Sequence, residues 1–111
     1  MNADREGRNS LAELLADLAE QLDEVGAHTV GGATEFRRDG VTFAALEGER
    51  VDLRLNAEVA EAARRTPATS SSPRGREWVN FAPRLTEPHD LDRAEAWFLS
   101  AWRAAADSTR T

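Results

Sequence analysis

From Ser10 onward the apolar positions keep a helical period. Leu11, Leu14, Leu15, Leu18, Leu22 and Val25 fall at spacings of three, four and seven, which places them on one face. Glu13, Asp17, Glu20, Asp23 and Glu24 lie largely outside that face. Ser10 and Glu13 have the spacing of a capping box, in which the hydroxyl accepts from the Glu13 amide and the carboxylate reaches back. Gly26 is the expected stop.

The period then changes to two. Thr34 to Arg38 and Val41 to Glu47 flank Asp39-Gly40, a two-residue turn that needs positive φ at both positions. Gly48-Glu49 turns the chain again into Arg50 to Leu55, where Val51, Leu53 and Leu55 alternate with Arg50, Asp52 and Arg54. Asn56 caps a short helix running to about Arg65, with Val59, Ala60 and Ala63 inward, before Thr66-Pro67 ends it. Thr69 to Arg76 reads as a loop with room for a short strand, and Glu77 to Ala82 as a strand holding Trp78, Val79 and Phe81. A last helix is predicted from about Asp90 to Ala106, with Leu91, Ala94, Phe98, Ala101, Trp102 and Ala105 on one face. The expected fold class is α+β, in the order α-β-β-β-α-β(-β)-α, an antiparallel sheet with helices packed on one face. It occupies one domain over 10–106, between flexible ends at 1–9 and 107–111.

Composition removes several function classes. With no cysteine there is no disulfide, thiolate metal site or cysteine nucleophile. Met1 to Asn9 is polar with no apolar h-region after it, and no apolar run approaches the ~20 residues of a membrane span. A cytoplasmic protein with no membrane partner is the expectation. Lysine, isoleucine and tyrosine are absent and all fourteen basic residues are arginine. GC-rich coding in a bacterial source explains this more simply than selection for arginine chemistry. The net charge of −6 is uneven: residues 1–35 carry −6, residues 36–84 carry +2 and residues 85–111 carry −2. An acidic whole argues against general nucleic-acid binding, while the basic middle leaves anion recognition open.

The chemistry-bearing residues are few. His28 and His89 are far apart and lack close-spaced ligand partners, so no metal site is expected. His28 is placed just after the first helix, where a cation suits the helix dipole. Ser70, Ser71 and Ser72 have no positioned base and read as a polar loop. Glu35 and Asp52 sit on strands and can face each other, although a solvated face is the plainer reading. Gly31-Gly32 lacks phosphate-loop spacing and leads into a strand, so it implies no cofactor and reads as a backbone bend. The best lead is arginine: Arg37 at the first hairpin, Arg54 on the third strand, and Arg74 and Arg76 around Gly75, a set able to grip a phosphate or carboxylate. Trp78, two residues after Arg76, is the candidate aromatic neighbour. Trp97 and Trp102 are expected in the core.

Three segments carry a resemblance. Gly31-Gly32-Ala33-Thr34-Glu35-Phe36-Arg37 with Phe43-Ala44, Val51-Asp52-Leu53-Arg54-Leu55, and Ser72-Pro73-Arg74-Gly75-Arg76-Glu77-Trp78-Val79 resemble the bacterial "luciferase-like" domain family of unknown function, over about residues 28–104. The element order and the late Trp-Val strand are also similar to the MmcQ/YjbR family, whose fold is related to secretion chaperones and whose members are often labelled DNA-binding. Where that family has a His-Leu-Asn segment before the tryptophan strand, this chain has Ser70-Ser71-Ser72-Pro73, so nothing tied to that segment carries over. The resemblances imply a fold and no activity. The leading functional expectation is a non-catalytic protein-binding or adaptor module with a protein partner, which a homodimer would satisfy. The alternative is recognition of an anionic ligand or nucleic acid through the arginine-rich middle. An enzyme ranks third.

Overall fold

The computed structural model describes residues 10–108. Helix α1 (Leu11–Gln21) leads into four strands, β1 (Val25–Val30), β2 (Ala33–Arg38), β3 (Val41–Glu47) and β4 (Arg50–Arg54). Helix α2 (Ala57–Ala63), strands β5 (Thr69–Ser71) and β6 (Trp78–Phe81), and helix α3 (Pro88–Ser108) complete the chain. All six strands form one antiparallel sheet in the order β1-β2-β3-β4-β6-β5. The fold is α+β, as the periodicity implies.

Two boundaries depart from expectation. Helix α1 ends at Gln21, with extended Leu22 as its C-cap, and not at Gly26. Val25 to Val30 then forms a strand the sequence pattern hides, paired along its whole length with β2. The left-handed residue at the helix-to-strand turn is Glu24 (φ 66°). His28 accordingly lies within β1 opposite Glu35, and not at the residue following a helix. Gly31-Gly32 is the turn of that hairpin, and Gly31 takes φ 62°. Helix α3 is longer than expected at both ends, beginning with Pro88 at its first position, where a missing amide costs nothing, and including Asp107. The expectations for residues 1–9 and 109–111 lie outside the described residues.

The Asp39-Gly40 turn has positive φ at both positions, 52° and 81°. That twist matches paired strands and sets the β2–β3 register. Beyond it the register shifts: Arg37 pairs with Thr42 but Phe36 with Ala44, leaving Phe43 as an extra residue. Such a bulge aims two successive side chains toward one face, and Phe43 and Ala44 are both fully buried. Phe98 of α3 meets Phe36 and Phe43 edge-to-face, with ring centroids 5.2 and 5.3 Å apart. Val51, Leu53, Val79 and Phe81 extend the same apolar face, and Leu11, Leu15 and Leu18 close it from α1. Trp97 packs on Phe81 at 4.8 Å, and Trp102 donates its indole N–H to the Asp23 carbonyl while Arg38 lies 3.9 Å over its ring.

One buried charge anchors the start of α3. The Asp90 carboxylate is fully buried and accepts from the Arg84 backbone N–H and Nε, both at 2.8 Å, and from Arg84 Nη2 at 3.2 Å. The Arg84 side-chain hydrogen bonds, then its backbone N–H, outweigh burial and hold the Asp90 pKa at about 2, below the ordinary 3.8. A depressed carboxylate stabilises the fold fully above its unfolded pKa and loses that contribution as pH falls through the folded one. Asp90→Asn should therefore cost on the order of 2 kcal/mol at pH 7, with the difference from wild type fading between about pH 4 and pH 2 in urea titrations. Phe98→Ala should cost about 3–5 kcal/mol by the same measurement, because it empties the junction of α3 with β2 and β3.

Candidate functional site

Strand alternation sends the polar residues to the face opposite Phe98. There the register aligns Glu35, Ala45, Asp52, Asn80 and Ser70 in one row across five strands. Two strand spacings, about 10 Å, separate the Glu35 and Asp52 backbones, too far for their carboxylates to share a proton without reaching toward each other. A cation bridges them instead: Arg74 places Nη2 3.5 Å from Glu35 Oε2 and Nε 3.4 Å from Asp52 Oδ2. Asp52 also accepts from Asn80 Nδ2 at 3.0 Å. Glu35 accepts from Arg37 Nη2 at 2.8 Å and from the Thr42 hydroxyl at 3.4 Å. The Arg37 hydrogen bond chiefly lowers the Glu35 pKa, burial opposes it, and the charges of Arg37 and Arg74 add to the lowering. Glu35 is thus a standing negative charge that anchors cations, and a poor proton donor.

Arg74 reaches this row because of its loop. The Ser72 hydroxyl accepts from the Arg74 amide at 3.1 Å, and the Trp78 amide donates to the Gly75 carbonyl at 3.2 Å. Gly75 takes φ 146°, a conformation L side chains rarely adopt, and a Cβ there would sit 3.5 Å from the Trp78 indole. The guanidinium of Arg74 lies 5.2 Å from the Trp78 ring centre, on its face.

Beside this bridge runs an open groove of about 880 Å³, lined by Arg54, Arg64, Arg74, Arg76 and Trp78 with Glu61 and Glu77. Four of the five residues singled out from the sequence, Arg54, Arg74, Arg76 and Trp78, therefore meet in one place. Arg37 does not line the groove; it stands behind Glu35. Arg64 escaped sequence reasoning. Its signal was the 57–61–64 spacing, which puts Ala57, Glu61 and Arg64 on one side of α2 facing the groove. Arg64 Nη2 donates to the Arg76 carbonyl, tying helix to loop, and Arg54 lies 3.6 Å from Glu77. Arg76 forms no ion pair among the described residues.

Among the described residues no three His, Asp or Glu side chains gather as a metal site, and no helix is long and apolar enough to cross a membrane. Comparison of the chain with protein-family models, with curated proteins and with solved structures returned no match.

Arg74→Ala should free the indole of Trp78 without unfolding the protein. Acrylamide quenching of tryptophan emission should rise, the rise should vanish in a Trp78→Phe background, and stability should fall by on the order of 1–3 kcal/mol, because the Glu35 and Asp52 carboxylates, 14% and 18% exposed, lose a shared counter-charge.

Proposed function

We propose that the chain is a non-catalytic binding module that holds an anionic group, phosphate or carboxylate, in the groove between α2 and the Arg74 loop. The observation that carries this reading is that four arginines, Arg54, Arg64, Arg74 and Arg76, line one open groove in a chain of net charge −6. Only two carboxylates line the same groove. Its volume falls in the range of small-ligand sites. Among the described residues Arg76 forms no ion pair, and the Arg54–Glu77 contact at 3.6 Å is partly exposed and cheap to exchange for a ligand oxygen. Arg74 is held in place by Glu35 and Asp52, so a ligand meets a cation that is already oriented. The depressed Glu35 carboxyl supports a binding role over proton transfer. The overall negative charge favours a small anion or a short segment over extended nucleic acid, whose binding relies on neutralising many phosphates. The resemblances to the luciferase-like and MmcQ/YjbR families rest on the residues quoted for them and add no chemistry to this reading.

The test is calorimetric titration with inorganic pyrophosphate and with a single-stranded DNA decamer at 50 mM salt. Pyrophosphate should bind at least tenfold more tightly to wild type than to the Arg74→Ala, Arg76→Ala double variant, and binding should weaken as salt rises. Equal binding by wild type and variant, or none by wild type, overturns the proposal. Preferential binding of the decamer would reassign the groove to nucleic acid.

A further inference from the structure

The charged side chains lining the arginine groove divide into those that have a partner inside the protein and those that do not. Arg74 spans Glu35 and Asp52, Arg54 meets Glu77 at 3.6 Å, and Arg64 donates to the Arg76 carbonyl. The two that remain are Arg76 and Glu61, one of each sign. Among the described residues neither side chain forms an ion pair or a hydrogen bond. They stand on the two walls of the groove, Glu61 on α2 and Arg76 on the loop.

The surroundings of Glu61 do not offset its charge. It lies in the last turn of α2, the end of a helix where a carboxylate is disfavoured and a cation favoured. Glu58, three residues earlier on the same helix, adds charge of the same sign. Arg64 and Arg65 follow at three and four residues, the spacings at which helical side chains meet. Arg64 is turned to the Arg76 carbonyl instead, and Arg65 neither lines the groove nor pairs with Glu61. A bare phosphate held between the walls would satisfy Arg76 and face the Glu61 carboxylate at the same time. A ligand that carries a cation beside its anion satisfies both.

We propose that the anion held by this groove also bears an ammonium group, as in an aminoalkyl phosphate, with the phosphate at Arg76 and the ammonium at Glu61. The inference rests on the anion reading of the groove and adds the second charge to it. The same pair of charges occurs in a free phosphorylated amine and in a phospholipid headgroup.

The probes are phosphoethanolamine and ethyl phosphate, which differ only in the ammonium group, titrated calorimetrically at 50 mM salt and neutral pH. Arginines alone would order them the other way, because ethyl phosphate has the larger net negative charge. Phosphoethanolamine should nevertheless bind at least fivefold more tightly. Glu61→Gln, at an exposed position that leaves the Asn56 cap and the buried Ala60 and Ala63 in place, should remove that preference. The same variant should bind ethyl phosphate at least as tightly as wild type does. Glu77→Gln should keep the preference, since Glu77 is paired with Arg54. Glycerophosphoethanolamine separates the sources: tighter binding than phosphoethanolamine identifies a headgroup, weaker binding a free phosphomonoester, and Glu61-dependent binding of either supports the proposal. Equal or tighter binding of ethyl phosphate by wild type overturns it, as does a preference that survives Glu61→Gln or is lost only with Glu77→Gln. If ethyl phosphate in that case still needs Arg74 and Arg76, the anion reading stands without this one; no binding of either probe overturns both.

Discussion

The edge-to-face packing of Phe98 against Phe36 and Phe43 settles which side of the sheet is dry, and most other features follow from that choice. Strict alternation would point Phe43 to the face opposite Phe36. The bulge in β3 cancels one step of the pleat, so both rings meet the same helix. Once α3 is seated on that triad, Val51, Leu53, Val79 and Phe81 must face it, and their neighbours must face away. The polar row of Glu35, Asp52 and Asn80 is the unavoidable complement of the aromatic one.

Two carboxylates left half-buried on a sheet face are unfavourable without a counter-charge. Arg37 supplies one locally, and Arg74 supplies the other from a loop that would otherwise have few anchors. The same contact that neutralises the sheet face shapes the groove, because Gly75, Arg76 and Trp78 follow directly in the chain. Structural need and candidate binding chemistry are thus carried by one guanidinium. This also explains why its neighbours differ in availability: Arg74 is committed to the sheet, Arg64 to the loop backbone, and Arg76 to neither.

The charge asymmetry of the chain becomes a spatial one. The acids of the first third fall mainly in α1 and its turn into β1, while four arginines of the middle meet at the end of β4 and β6 with α2. Arg38, stacked on Trp102 and 3.4 Å from Glu24, joins the α1–β1 turn to α3. A molecule of net charge −6 therefore carries its arginine-lined groove apart from its acidic first helix.

Sequence alone determined the class of the fold and the better part of the groove. The helical stripe of α1, the Asp39-Gly40 hairpin, the alternation of Val51 and Leu53, and the Asn56 cap are local signals, written in residues within a few positions of one another. Arg74, Arg76 and Trp78 were legible as a group because they are neighbours in the chain. Strand β1 was not legible, because Leu22 and Val25 continue the α1 stripe and Gly26-Ala27 have little strand preference; pairing with β2 outweighs both. Nor were the Arg74 bridge, the contribution of Arg64 or the Asp90–Arg84 anchor. These depend on register, on one extra residue in β3 and on where a loop lands, and such quantities exist only after distant parts of the chain have packed together.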